Sequence, residues 1–539
     1  MSDDMLIDAH AIPSRERVRD RCSLGVAIFY MQGVGALFPW NAFITPTDYY
    51  ALRLAGSPFA SSFESIFSIS FTLCGLLTMI LLQSEIESLP EPSSLRTPIM
   101  SSQMVMVGAF AITAALTLRP LLRFDPHIDP RIDETLSAAA NVQFAWLVTA
   151  VALCSVAVSV LLASLNRYAA VLGSSYIRAL SGGQGIAGLA ASLANLLRSL
   201  PEMARSCGAG APDTPDGARA AHAAQDGATV EGAALYFGGA CVVLVLCLGS
   251  FLLLERLPFV REAFGRQEDA RREFLRESFL RESAESAPPP SHAAADADGE
   301  RGERVEREIS ALENAPDQPT PAHDALGGRG WRRVGGGGHA LKRRSALCVE
   351  RLRKLRPSAP LVPWAVAITL TYSVTIALFP ALTSVIRPSP HGACEWRHLF
   401  TPLMFVVFNA GDTIGRNLTF QLHSARSVLL VVSLRVLFAP LFILCYVRAE
   451  STASAAADAI PLLLMLAFSI TNGWITTTVF VRASEDVGDA ERGHAAGHIV
   501  LFLNTGLAIG AALSFVVHFA ACGGCNPFVN PKQQHGLLI

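Results

Sequence analysis

"PLMFVVFNAGDTIGRNLTF", residues 402–420, is apolar enough for a bilayer and yet carries an aspartate and an arginine. Ionisable groups inside a membrane are costly and mostly functional. Phe405, Asn409, Asp412 and Arg416 follow one another at steps of 4, 3 and 4. Those steps place all four on one face of a helix. An acid four residues before a base forms a pair that largely neutralises itself, which makes burial tolerable. Gly411 and Gly415 add a small-xxx-small pattern, through which a second helix can approach closely. The stretch therefore reads as a membrane helix whose polar face is turned toward other helices.

The rest of the chain supplies those helices. Of 539 residues, 51% are apolar and 16% charged, where a soluble domain has roughly 25% charged. Mean hydropathy is +0.38. A net charge of −2 gives no electrostatic case for binding nucleic acid. A span needs about 20 mostly apolar residues. Eleven segments qualify: about 23–45, 61–83, 98–118, 142–165, 172–197, 233–254, 361–386, 398–420, 426–447, 459–482 and 498–520.

Residues 255–360 break the series after the sixth. They hold 20 of the 43 Lys and Arg and 18 of the 45 acids. "APPPSHAAADADGERGER" and "GGRGWRRVGGGG" within them cannot bury a core. The repeated FLRES at 274–278 and 279–283 reads as a solvated charged segment, with an amphipathic surface helix as the alternative. Basic residues favour the cytoplasmic side. Arg15, Arg17, Arg19 and Arg21 and the runs at 342–344 and 351–356 then lie inside, an even number of spans apart. The expected organisation is an all-α polytopic membrane protein with eleven transmembrane helices in a 6+5 arrangement. It comprises a cytoplasmic tail (1–22), a six-helix bundle (23–254), a cytoplasmic, largely disordered loop (255–360), a five-helix bundle (361–520) and an exterior tail (521–539). Residues 198–232 become an exterior loop.

Other spans also carry polar or helix-breaking groups. The first contains Pro39, Trp40 and Asn41 in "GVGALFPWNAFIT" (33–45). The fifth contains Gln184 among Gly182, Gly183, Gly185 and Gly188, a smooth surface suited to tight packing. In the seventh, Pro380 follows Phe379 and is expected to bend the helix. Asn472 and Asn504 lie beside glycines in the tenth and eleventh.

Motifs for bond-making chemistry are missing. His494 and His498 have a spacing a metal can use on a helix, but no third ligand is evident. Cys522 and Cys525 have CxxC spacing beyond the last span. The eleven cysteines fall mostly in apolar runs, where they act as small hydrophobes, and no disulfide framework is expected. There is no Walker loop, nucleophile elbow or zinc signature. No catalytic residue, cofactor or metal is expected.

A set of motifs in order resembles the equilibrative nucleoside transporter family. "GVGALFPWN" in the first span is similar to G-x-G-x-L-x-P-W-N, and "SGGQGIAG" in the fifth to G-Q-G-x-A-G. "TIALFPALT" in the seventh resembles T-x-x-x-F-P-A, and "FNAGDTIGR" in the eighth resembles F-N-x-x-D-x-x-G-R. "SLRVLFAPLFILC" (433–445) resembles the ninth span, and "TNGW" stands where the family has S-N-G-Y. The resemblance implies an alternating-access carrier of nucleosides or nucleobases, facilitative or proton-coupled, in the plasma membrane. It implies a major-facilitator-like fold lacking one span. It places Leu37, Trp40, Asn41 and Ile44 along the central cavity, with Phe379, Phe405, Asn409, Asp412 and Arg416. Asp412 and Arg416 would bind the ribose hydroxyls. Gly183, Gln184 and Gly185 would serve packing and movement of the fifth helix. Where the family often has a base-reading glutamine, this chain offers Leu162, with Ser164 and Asn166 nearby. The alternatives are a permease for another small polar solute such as a sugar, and a polytopic membrane enzyme.

Overall fold

A computed structural model describes residues 20, 23–54, 63–88, 93–118, 130–207, 215–285, 357–380, 382–383, 386–389, 393–420, 422–448, 455–488 and 491–521. All regular structure among them is helical. The N-terminal half contains α1 (Leu24–Ile44), the short α2 (Thr47–Arg53), α3 (Phe63–Ser88), α4 (Ser93–Thr117), α5 (Pro130–Leu172), α6 (Ser174–Cys207), α7 (Pro215–Leu254) and α8 (Pro258–Glu285). The C-terminal half contains α9 (Val362–Leu378), α10 (Cys394–Asn417), α11 (Ala425–Leu434), α12 (Phe438–Arg448), α13 (Ala455–Glu485) and α14 (Arg492–Ala521). One 3-10 turn, Arg435–Leu437, joins α11 to α12. The chain divides into two compact units, Met1–Phe264 with Pro357–Ile539, and Gly265–Arg356. The CxxC at 522–525 and residues 286–356 lie outside the described residues.

Each of the eleven apolar segments coincides with a helix, or with α11 and α12 together. Seven are long and apolar enough to cross a membrane, and Ile66–Leu81 is a shorter apolar helix. α1, α6 and α10 are not among the seven. α6 packs against both α1 and α10, and the three carry the glycines and polar groups that lower hydropathy. Length and apolarity alone therefore do not fix the number of crossings at eleven.

Several boundaries differ from expectation. The fourth and fifth segments divide at Gly173, whose φ of +122° suits only glycine. α6 reaches Cys207 and α7 begins at Pro215, so much of the expected 198–232 loop is helix. Ala-rich sequence such as "ARAAHAA" explains it, alanine being the strongest helix former. The FLRES repeats lie on α8, which starts with proline at its first position. The seventh segment ends at Leu378 rather than bending. Phe379 is extended, as the residue before a proline prefers, and the Phe379–Pro380 bond is cis. By contrast, α1 runs on through Pro39.

Glycine contacts give the relative directions of the helices. Gly25 lies against Tyr176, and Gly33 against Leu180 and Gly183, so α1 and α6 run parallel. Gly411 meets Ser469 and Gly415 meets Trp474, so α10 and α13 are parallel. Gly506 meets Thr369 and Gly510 meets Ser373, so α9 and α14 are parallel too. α6 and α10 run opposite ways: Gly182 faces Asn417, Gly185 faces Thr413, and Gly188 faces Asn409. Aromatic residues fill the core around α1 to α4, including Phe43, Tyr50, Phe67 and Phe110. A second cluster around Phe400, Phe408, Phe442 and Phe468 fills the core of the C-terminal half. Large apolar side chains such as Leu235, Leu463 and Val516 stay exposed on the outside, as surfaces in contact with lipid must be.

Candidate functional site

The site is built on the seam between α6 and α10. On α10, Asp412 is 6% exposed and Arg416 4%. Their one-turn spacing brings Arg416 Nε to 2.6 Å from Asp412 Oδ2. Every other donor group of Arg416 reaches a different helix. Nη1 donates to Gln184 Oε1 at 3.0 Å and to Ser181 Oγ at 3.2 Å, both on α6. Nη2 donates to Tyr372 Oη of α9 at 3.2 Å. The second oxygen of Asp412 accepts from Asn472 Nδ2 of α13 at 2.7 Å. One ion pair thus ties together four helices, and its charges are answered by charge-assisted hydrogen bonds.

The network continues through a residue to which the sequence assigned no role. Asn472 Oδ1 accepts from Thr375 Oγ1 of α9 at 2.7 Å. Thr375 Oγ1 accepts in turn from Arg435 Nη2 at 2.8 Å. Arg435 is 1% exposed, donates to the Phe468 carbonyl at 2.7 Å and to Thr471 Oγ1, and lies over the Phe468 ring at 4.4 Å. An arginine inside "SLRVLFAPLF" was itself the available signal, since charge within a span ranks first. Asp458, buried at the start of α13, was likewise missed. It accepts from the Ser389 backbone N–H and from Trp396 Nε1, each at 2.8 Å.

The aromatic candidates flank this network on α9 and α10. Phe379 stacks on Phe408 at 3.8 Å between centroids and leans on Phe405 at 5.0 Å. Phe405 and Asn409 are half-buried. Asn409 Nδ2 donates to the Phe405 carbonyl at 2.9 Å. Its Oδ1 sits where a Cβ on Gly188 would come within 2.3 Å. A Cβ on Gly183 would stand 2.1 Å from the Tyr30 carbonyl oxygen, and one on Gly185 would stand 2.9 Å from Thr413 Cα. Gly183 thus seats α6 on α1 and Gly185 seats it on α10, while Gln184 between them holds Arg416.

The first-span candidates have separate partners. Trp40 packs on Phe71 of α3 at 4.6 Å. Asn41 Nδ2 donates to the Leu37 carbonyl of its own helix at 3.1 Å. Leu37 is half-buried and Ile44 is 37% exposed. α1 does reach α10 lower down, where Tyr30 Oη donates to Asn417 Oδ1 at 2.5 Å. Asn166 Nδ2 donates to the Leu162 carbonyl at 2.8 Å, and Ser164 is fully buried. Trp474 donates to the Phe420 carbonyl at 2.6 Å and stacks on that ring. His498 Nδ1 lies 3.1 Å from the His494 carbonyl of its own helix.

No framework of disulfides is expected from the sequence, and the described residues hold one bond that the sequence did not point to. Cys207, at the end of α6, is bonded to Cys394, at the start of α10, with Cα atoms 5.7 Å apart. The two lie 187 residues apart in sequence, so no spacing rule could pair them. The bond closes the α6–α10 seam at the end away from Asn417. His398, one turn into α10, brings a third donor atom within 4.8 Å of both sulfurs.

Residues 359–519 match a family model described as nucleoside transporter. The chain is 25% identical to equilibrative nucleoside transporter 1 of Mus musculus, over 93% of this chain and 98% of that protein. It is 27% identical to equilibrative nucleoside transporter 2 of Rattus norvegicus, over 92% and 97%. Among solved structures it aligns with a xylose transporter from E. coli at 11% identity and a TM-score of 0.42, covering 93% of this chain and 94% of that one. The motif order, the family match over residues 359–519 and the alignments spanning nearly the whole chain make this protein similar to the equilibrative nucleoside transporters.

Proposed function

We propose that this integral membrane protein is a transporter, not an enzyme, and that it carries nucleosides or nucleobases across the plasma membrane by alternating access. The observation that carries this reading is the buried Asp412–Arg416 pair, whose remaining hydrogen bonds reach both halves of the chain. A ribose diol both donates and accepts. A carboxylate beside a guanidinium offers it an acceptor and donors together. The contacts to Gln184 and Ser181, at 3.0 and 3.2 Å, are the ones a diol would replace. Substrate binding would then remove hydrogen bonds that hold α6 to α10. That is a direct link between occupancy and separation of the halves.

The remaining residues take roles consistent with a flat base on a polyol. Trp40, Phe379 and Phe405 flank the base, one stacking contact being worth about 1–3 kcal/mol. Leu37, Asn41, Ile44 and Asn409 line the path, while Gly183, Gln184 and Gly185 let α6 move against its neighbours. Residues 23–254 and 361–520 act as six- and five-helix bundles joined by the cytoplasmic 255–360 segment. The N-terminal tail lies inside and residues 521–539 outside. The parallel α1–α6, α9–α14 and α10–α13 pairs and the antiparallel α6–α10 pair support eleven alternating crossings. The Cys207–Cys394 bond supports placing those helix ends outside, where disulfides persist.

Uptake of labelled adenosine, uridine and hypoxanthine by cells expressing the chain tests this. Saturable uptake is expected. Transport of a sugar alone, with the protein at the cell surface, would favour the rival permease. Collapse of a pH gradient separates facilitative from proton-coupled uptake.

A further inference from the structure

We propose that Cys207, Cys394 and His398 form a two-state clamp on the α6–α10 seam: a disulfide when oxidised, and a site for a soft divalent cation of the Zn2+ class when reduced. The proposal rests on the transport reading above for its effect on uptake, but not for the site itself.

The register of the two helices sets the geometry. Gly182 faces Asn417, Gly185 faces Thr413, Gly188 faces Asn409, and Cys207 is bonded to Cys394. Each step forward along α6 is thus a step backward along α10. At 1.5 Å per residue, the seam from Gly182 to Cys207 runs about 37 Å. It therefore exceeds a hydrocarbon core of about 30 Å. The two helices meet closely from Gly182 to Gly188 and again at Cys207, and the covalent bond stands at the far end. α6 belongs to the first half of the chain and α10 to the second, so alternating access requires their exterior ends to part. While the disulfide is intact, that parting is restricted and turnover is slowed rather than abolished.

The bond is accessible. Both cysteines are half-buried and His398 is exposed, unlike the buried Cys154 and Cys247. Half-exposed disulfides are the ones open to exchange. A dithiol reductant would transfer two electrons to the disulfide, leaving two thiols here and a cyclic disulfide in the reductant. The two sulfurs and a His398 ring nitrogen lie within 4.8 Å of one another. Once the S–S bond is cut, the sulfurs can swing apart around a cation, and Zn–S and Zn–N bonds of about 2.3 and 2.1 Å with a water as fourth ligand would make a tetrahedron. Metal binding releases the two thiol protons to solvent and makes the clamp again without a covalent bond.

The test uses full-length protein in cells, with Cys522 and Cys525 replaced by serine so that exterior thiols are limited. A membrane-impermeant maleimide-polymer is expected to label neither Cys207 nor Cys394 until a dithiol is applied, and both afterwards. Zn2+ added after washing should protect them in the parent but not in His398→Ala. Initial adenosine uptake should rise several-fold with dithiol and fall again with Zn2+. Cys207→Ser and Cys394→Ser should show the high rate at the outset and respond to neither reagent. His398→Ala should keep the dithiol response and lose the Zn2+ response. Labelling before reduction, or equal protection in His398→Ala, would overturn the site. Uptake indifferent to dithiol and to both serine variants would overturn the clamp. Absence of any nucleoside uptake with the labelling pattern intact would overturn the transport reading and leave the metal and disulfide site standing.

Discussion

Asp412 and Trp40 were expected to face one substrate path, but they sit in unlike surroundings. Asp412 is buried, and both of its oxygens are engaged by side chains from two helices. Trp40 is half-buried, and its described contact is one ring of α3. The first environment is a closed polar network in which every partner constrains the others. The second is an aromatic surface that can exchange one neighbour for another. Networks of buried charge hold a geometry, because breaking one partner strands the rest. Aromatic contacts tolerate change, because their energy follows area and orientation. Substitutions should therefore have steep effects around Asp412 and shallow ones around Trp40.

The steepest should be Asp412→Asn, which keeps shape but leaves Arg416 without a counter-charge. Breaking a buried pair costs about 3–5 kcal/mol. Adenosine uptake should fall at least about a hundredfold at normal surface level, as read by surface biotinylation and initial rate. Normal uptake would break the contrast outright. Arg435→Gln should come next. It does not touch Asp412, but it holds Thr375 and through it Asn472. Hydrogen bonds to charged groups are worth about 1.5–3 kcal/mol, so roughly a tenfold loss in kcat/KM is expected. An unchanged value would confine the network to Asp412, Arg416 and Asn472.

How far the sequence could be read follows the same division. The Asp412–Arg416 pair was legible because both residues lie on one helix, one turn apart. The glycine stretches announced close packing, but not which helices would meet. Gly183 could equally have faced α10, and only the fold assigns it to α1. Arg435 was visible as a charge in an apolar run, yet its partners lie on α9 and α13, far away in sequence. The Cys207–Cys394 bond was invisible for the same reason. Phe379–Pro380 was read as a bend because a proline inside a helix and a proline just after one look alike locally. Local chemistry was readable from local spacing, whereas contacts between distant helices had to come from the structure.

Trp40→Ala should have a moderate effect. Loss of one base-stacking contact, about 1–3 kcal/mol, should raise KM roughly tenfold and leave the maximal rate nearly unchanged. Trp40→Phe should recover most of it. A collapse in maximal rate instead would place Trp40 in the machinery of movement, alongside the α6–α10 seam.

The smallest effect is expected at Asn41, and it is best measured against Asn409. The two amides make the same local bond, each Nδ2 donating to the carbonyl four residues back at 3.1 and 2.9 Å. That carbonyl already accepts the helix's own N–H, so the extra bond adds little, about 0.5 kcal/mol or a factor near two. They differ in the other atom. Asn409 Oδ1 is pressed against Gly188 of the opposite half, at the centre of the seam. Asn41→Ala should therefore change uptake by less than about twofold, the effect of one weak hydrogen bond. Asn409→Ala should change it more, because it opens a gap between helices that must separate and close in each cycle. Equal effects would mean that both amides act only on their own helices, and that the seam transmits nothing through Asn409.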